Sequence, residues 1–370
     1  MTMSTVHDPS PSVVVDSRRR ADPVRGRGGR PVVWFATVGA AALALQIYVY
    51  VSWMTSEDFR RVSTGADPVP SSVKVWAWFS QISVTLLAIG CVVWVTRQCL
   101  RERKLTFDAK LLIGWVSCFW LDPVPNWIRP QVFFNSYYVN MGSWVEHIPG
   151  WFGPTGSNLP NSLLLECSAF FTNILGCVLS CAVMRRAQKR WNLSNFRTFF
   201  VGVGTAMAFF LLMEEYMIWT GWLAWPGTIH ALSLNAGTIH QMPLTEMVIT
   251  GFCLVGAMGA LRYFKDDRGI SWAERGLDRL AFSGPRASAM KTLVSLLAVI
   301  GFTNASWLTY NAITIPIAVY ADEMPSGFPS YMTNHMCGTP QVRLCPDPSA
   351  PFVGPHTTGI DSVPGVHPGR

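Results

Sequence analysis

Glu214 and Glu215 stand side by side in an apolar run of the chain, and Asp122, Glu166 and Glu246 occupy similar positions in other apolar runs. A carboxyl in hydrocarbon is costly, so such residues mark a functional site by default. No Lys or Arg stands in the middle of those runs to pair with them. Burial without a countercharge favours the neutral acid. Two carboxyls in different surroundings can therefore supply one proton donor and one proton acceptor. That is the equipment of acid–base catalysis without metal or nucleotide, and equally of proton-coupled transport.

Helical spacing separates the adjacent pair. Glu215 shares its face with Gly204, Ala208, Trp219 and Trp222, whereas Glu214 falls with Met207, Phe210, Met217 and Ile218. Small and aromatic residues suit a packed interior, so Glu215 reads as the inward group and Glu214 as its helper. Glu166, Asn173, Cys177 and Ser180 share one helical face, and Glu246, Thr250, Cys253 and Ala257 another. Asn304 and Asn311 lie seven apart in the last run. The pattern predicts a polar cavity lined by Asp122, Glu166, Glu215 and Glu246. The competing reading is that these groups only join helices to one another.

The elements that must position them follow from composition. Of 370 residues, 50% are hydrophobic and 14% charged, against about 25% charged in globular chains. Seven apolar stretches occur, at 31–53, 75–96, 109–121, 162–184, 198–225, 243–264 and 290–320. Each approaches the roughly 20 residues that span hydrocarbon, although the third is short. Of the 29 Lys and Arg, 23 lie in the N-terminal tail and the loops 97–110, 185–197 and 262–291. This alternation predicts an all-α integral membrane protein, a seven-helix bundle with a cytoplasmic N-terminus and an external C-terminus. A net charge of +7 so distributed gives no reason to expect nucleic acid as a partner. The membrane itself and a hydrophobic small molecule are the expected partners, and oligomeric state is left open.

Residues 1–30, rich in Arg, Ser, Pro and Gly, read as a disordered basic tail. Residues 31–320 form the membrane domain, and 321–370 a Pro-rich external tail in which Cys337 and Cys345 are placed to form a disulfide. The other Cys sit in or beside apolar runs and read as packing residues. The segment 122–161 is aromatic, amide-rich and punctuated by Pro and Gly, which predicts a re-entrant or lid loop over the bundle. His147, His230, His240 and Glu146 lack helical metal-ligand spacing and read as loop packing, so no metal and no cofactor is expected. Asp266-Asp267-Arg268-Gly269 reads as a solvated turn. Ser271 and Glu274 read as a capping box opening a short interfacial helix.

Several local patterns occur together: Asp122-Pro-x-x-Asn126, Asn135-Ser-Tyr137, Asn140-x-Gly-Ser-Trp144, Pro149-Gly-Trp151, Glu214-Glu215, Gly237-x-x-x-Gln241-x-Pro-x-x-Glu246, and Arg262 through Asp267 to Glu274-Arg-Gly276. In these the chain resembles the AveC-like spirocyclase family over roughly residues 30–320. The resemblance implies cyclisation of a dihydroxy-ketone polyketide to a spiroketal with loss of water, and dehydration in some members. It also implies secondary metabolism in a bacterial cytoplasmic membrane.

The residues themselves fit that chemistry. The expected function is a membrane-embedded acid–base cyclase or dehydratase acting on a hydrophobic hydroxy-ketone. Glu215 is the expected acid, with Glu246 or Asp122 as base. Asn126, Asn135, Tyr137, Trp144, Glu166, Glu214, Trp219 and Gln241 are the expected substrate contacts. A terpene-type membrane cyclase would use the same groups. A transporter of a small lipophilic molecule is disfavoured by the odd number of spans and the absence of internal repeats.

Overall fold

The computed structural model describes residues 31–151, 153–337 and 345–348. The expected disordered tail, 1–30, lies outside the described residues, as does most of the tail beyond 337. The helices run in order as α1 (Pro31–Met54), α2 (Ser71–Glu102), α3 (Phe107–Val116), α4 (Leu165–Trp191), α5 (Asn195–Trp219), α6 (Leu244–Cys253), α7 (Val255–Tyr263), α8 (Ala287–Ile317) and the single turn α9 (Ser330–Thr333). Among the described residues six spans are long and apolar enough to cross a membrane, with α6 and α7 together forming one of them. The chain is a multi-pass membrane protein. On α2, Val75, Trp76, Phe79, Ile82 and Leu86 are all exposed. In water such a face would demand a partner; here lipid is its solvent.

The third stretch departs from the other six. α3 has ten residues, about 15 Å at ~1.5 Å per residue, or half the hydrocarbon thickness. It starts sharply because the Thr106 side chain caps it, accepting from the Ala109 amide at 3.2 Å. It gives way to two 3-10 turns, Phe119–Leu121 and Val124–Trp127, with Asp122 between them. Irregular backbone is stable at that depth only inside protein, and α3 packs between α4 and α8.

The α1–α8 contact is backbone to backbone. A Cβ at Gly39 would fall on the Leu297 carbonyl, and one at Gly301 on the Phe35 carbonyl. Only glycine on both sides permits this approach. The span of α6 and α7 is broken at Leu254, whose φ of −107° and ψ of −93° are not helical. α8 ends one residue after Pro316, as expected of a proline inside a helix.

The 122–161 segment is built into the fold. Two short antiparallel pairings anchor it: β1 (Phe133–Phe134) pairs with β2 (Leu223–Ala224), and Asn140 bridges Ser162. Above it lies the C-terminal segment. The Ser136 amide donates to the Tyr331 carbonyl at 2.9 Å, and Asn334 Nδ2 to the Phe134 carbonyl at 2.8 Å. A second small pairing joins β3 (Ser233–Leu234) to β4 (Met242–Pro243). Cys337 and Cys345 are joined in a disulfide.

Candidate functional site

Beneath that segment, between α3, α4, α5, α6 and α8, is a cavity of about 150 Å³. Asp122, Glu166, Glu214 and Glu246 line it, and none of its lining residues is Lys, Arg or His. The remaining wall is largely aromatic, including Phe134, Phe170, Trp222, Trp225, Trp307 and Tyr310.

Each carboxyl is held differently. Asn161 Nδ2 donates to Asp122 Oδ2 at 3.2 Å and to Glu166 Oε2 at 3.1 Å, so one amide bridges two acids. Glu166 Oε2 also accepts from the Ser162 amide at 3.0 Å, which closes the start of α4. Its other oxygen, Oε1, is buried without a hydrogen-bond partner. Glu214 accepts from Trp225 Nε1 at 2.6 Å. Glu246 accepts from the Tyr310 hydroxyl and, at 3.2 Å, from Thr250 Oγ1, both on Oε1.

The geometry reverses the expected order of the adjacent pair. Glu214 is 2% exposed and lines the cavity; Glu215 does not line it. Glu215 instead accepts from Trp219 Nε1 at 2.9 Å, on a face where Trp219 is 59% exposed. Gly204 and Ala208, read as marks of a packed face, are exposed, whereas Phe210, Met213 and Met217 border the cavity. In lipid an apolar residue is equally at home inside and outside, so hydrophobicity did not report which face was buried.

Most of the expected substrate contacts serve the loop itself. Asn126 Oδ1 accepts from the amides of Gln131 and Val132 at 2.8 and 3.0 Å. Asn135 Nδ2 donates to the Gly221 carbonyl at 2.7 Å, and its Oδ1 accepts from the Tyr137 amide at 2.9 Å. Gln241 Nε2 donates to the Trp225 carbonyl at 2.8 Å. Trp144 is fully buried and donates to the Trp120 carbonyl at 2.8 Å. Tyr137 packs in the outer core, and Trp219 stacks on His240 with centroids 4.2 Å apart. None of the six lines the cavity. Irregular backbone buried in the bundle needs partners for its own N–H and C=O groups, and Asn126, Asn135, Trp144 and Gln241 supply them.

Three contributors went unrecognised. Tyr310 was signalled by a phenol well inside the last apolar run. Trp225 reaches Glu214 only after the chain turns at Gly221, and Asn161 reaches Asp122 from 39 residues away, so no local spacing pointed to them.

The charged motif at the other end of the bundle is structural. Arg262 Nε and Nη2 grip the two Asp108 oxygens at 2.8 and 3.0 Å. Glu274 is buried, pairs with Lys110 and accepts from Ser295 Oγ. Both pairs therefore clamp the base of α3. The capping box at Ser271 is present, but it opens a 3-10 turn, Trp272–Glu274, rather than the expected helix. Asp266 forms an exposed turn with Arg268. His147 lies between Ser52 Oγ, 2.7 Å from Nδ1, and Asp58, and so ties the loop to the end of α1. Among the described residues no group of three or more His, Cys, Asp or Glu is placed to hold a metal ion.

Residues 102–333 match the family model described as spirocyclase AveC-like. No curated protein and no solved structure matches the chain.

Proposed function

The chain belongs to the AveC-like spirocyclase family, and from that premise we propose that it is a membrane-embedded acid–base cyclase for a hydrophobic hydroxy-ketone. The observation that supports this reading most is the convergence of four carboxyls, without a cation, on one aromatic-walled cavity.

Glu214 and Glu246 divide the work. Glu214 has a single indole donor and an apolar wall, and it delivers a proton to the ketone or hemiketal oxygen. Glu246 receives two hydroxyl donors, which suit it to hold charge and to accept the proton of the attacking hydroxyl. Each ring closure forms one C–O bond, takes one proton from Glu214 onto the ketone or hemiketal oxygen and gives the attacking hydroxyl's proton to Glu246; after two closures that oxygen has departed as one water. The oxocarbenium ion on the way faces Trp222, Trp225 and Trp307, each worth ~0.5–2 kcal/mol to a cation held over its ring. Glu166 Oε1, buried and unpaired, accepts a substrate hydroxyl. Asp122, joined to Glu166 through Asn161, holds that group in place.

Size sets a condition on the substrate. The cavity, about 150 Å³, matches the roughly 150 Å³ that admits a benzene ring. It holds the ring being closed. The remainder of a longer chain passes between the half-buried side chains of Phe210, Met213 and Met217 toward lipid.

The proposed setting is a bacterial cytoplasmic membrane, with α1 starting in the cytoplasm and the disulfide-bearing segment outside. α3 and its 3-10 turns make the third of seven crossings. The reading is tested by assaying Glu214→Gln and Glu246→Gln in membranes with hydroxy-ketone substrates. Turnover by both variants at the wild-type rate would overturn the assignment.

A further inference from the structure

A second, smaller cavity adjoins the first behind Glu246. Its volume is about 20 Å³, enough for one water by the ~10–15 Å³ that a single site requires. Glu246 and Trp225 line both cavities. The far wall includes Gln131, Thr228, Thr314 and Ala321. Two of its polar groups are hydrogen-bonded within the protein: Gln131 Nε2 donates to the Thr314 carbonyl at 3.0 Å, and Thr314 Oγ1 donates to the Tyr310 carbonyl at 3.1 Å. Thr228 is different. It is 3% exposed, and its Oγ1 is buried with no hydrogen-bond partner. A buried hydroxyl left unpaired is costly, and one in the wall of a water-sized space is satisfied by a water held there.

Thr228 also marks the way out. Its carbonyl accepts from the Asp322 amide at 2.9 Å. The Asp322 side chain is 40% exposed. Thr228 thus lines the small cavity that Glu246 also lines, and its backbone is bonded to that of the partly exposed Asp322.

We infer that the small cavity is a proton outlet for Glu246, built around one water held between its carboxyl and Thr228 Oγ1. The inference rests on the proposed acid–base roles and extends them. Each ring closure leaves Glu214 short of a proton and Glu246 with one in excess. The outlet passes the proton from Glu246 to the held water and on to solvent at Asp322, and Glu214 takes one up from solvent. The protein then regains its starting protonation with no other reactant. Placing the outlet behind the base, away from the substrate, keeps bulk water from the cation formed in the main cavity.

The test needs no substrate. Purified protein in nanodiscs is followed by infrared spectroscopy while H₂O is replaced by D₂O, across the acid pH range. The protonated carboxyl band that Glu246→Gln removes reports Glu246. The outlet predicts prompt exchange in wild type. It predicts exchange slowed by about tenfold, as expected for one lost hydrogen bond in a relay, in both Thr228→Val and Ala321→Leu. The first removes the hydroxyl at constant shape and the second fills the space. Exchange at the wild-type rate in either folded variant overturns the inference, as does the absence of a Glu246 band at every pH. A protein that shows the predicted exchange but closes no hydroxy-ketone keeps the outlet and loses the cyclase reading.

Discussion

Tyr310 of α8 donates its hydroxyl to Glu246 of α6, and Thr250 donates to the same oxygen. Two helices that begin at opposite ends of the bundle thereby meet at one carboxylate. In Tyr310→Phe the ring keeps its edge contact with Trp307, at a centroid distance of 5.3 Å, while the donor is lost. A hydrogen bond to a charged group is worth about 1.5–3 kcal/mol. Turnover should therefore fall roughly 10- to 100-fold, with little change in thermal stability. A loss of folding with no separate loss of turnover per folded molecule would make Tyr310 a packing residue instead.

The adjacent glutamates give the sharpest contrast. Glu214→Gln should abolish product formation, whereas Glu215→Gln should retain it, because only Glu214 lines the cavity. Both substitutions are nearly isosteric, so expression levels should match. The opposite ranking in a nanodisc assay would return the catalytic role to Glu215 and refute the cavity assignment.

The clamp at the base of α3 should govern stability rather than chemistry. Breaking one partner of a buried ion pair costs about 3–5 kcal/mol. Asp108→Asn and Lys110→Met should therefore lower the midpoint of detergent-solubilised unfolding without changing the affinity for a bound substrate analogue. The pair with Lys110 is also pH-dependent. Burial pushes the Glu274 carboxyl up, but the Lys110 ammonium and the hydrogen bonds from Lys110, Ser295 and Ser271 outweigh it and hold the carboxyl below the usual glutamate range. A depressed folded-state value contributes stability above the unfolded value, and that stability is lost as pH falls through the folded one. Acid unfolding of wild type should thus begin below the ordinary glutamate range, and Glu274→Gln should flatten that limb of the curve.

The residues that could be identified from sequence share one property. Asp122, Glu166 and Glu246 were legible because a carboxyl in an apolar run is rare and expensive whatever surrounds it. Spans were legible for the same reason, through length and charge. What hydrophobicity could not convey was direction: Glu214 and Glu215 differ only in which face meets lipid, and lipid is no more polar than a protein core. Nor could it separate amides that would touch a substrate from amides such as Asn126 and Gln241 that serve buried backbone. Those two uses demand the same residue types in the same loop, and only the path of the chain decides between them.

That distinction makes Asn161 the most informative amide to change. Its Nδ2 touches both Asp122 and Glu166, and the loop's only other claim on it is its own backbone. In Asn161→Leu the two carboxyls lose their shared donor and face each other directly. Like charges at such range are unfavourable, so the pair should separate or retain a proton. Glu166 then no longer presents Oε1 in its present position. We expect a raised KM with a smaller effect on kcat, since the pair orients a hydroxyl and Glu214 and Glu246 move the protons. Asp122→Asn should restore most of the affinity in the Asn161→Leu background by removing one charge. Additive losses in that double variant, measured as kcat/KM, would show that the amide does not couple the two acids.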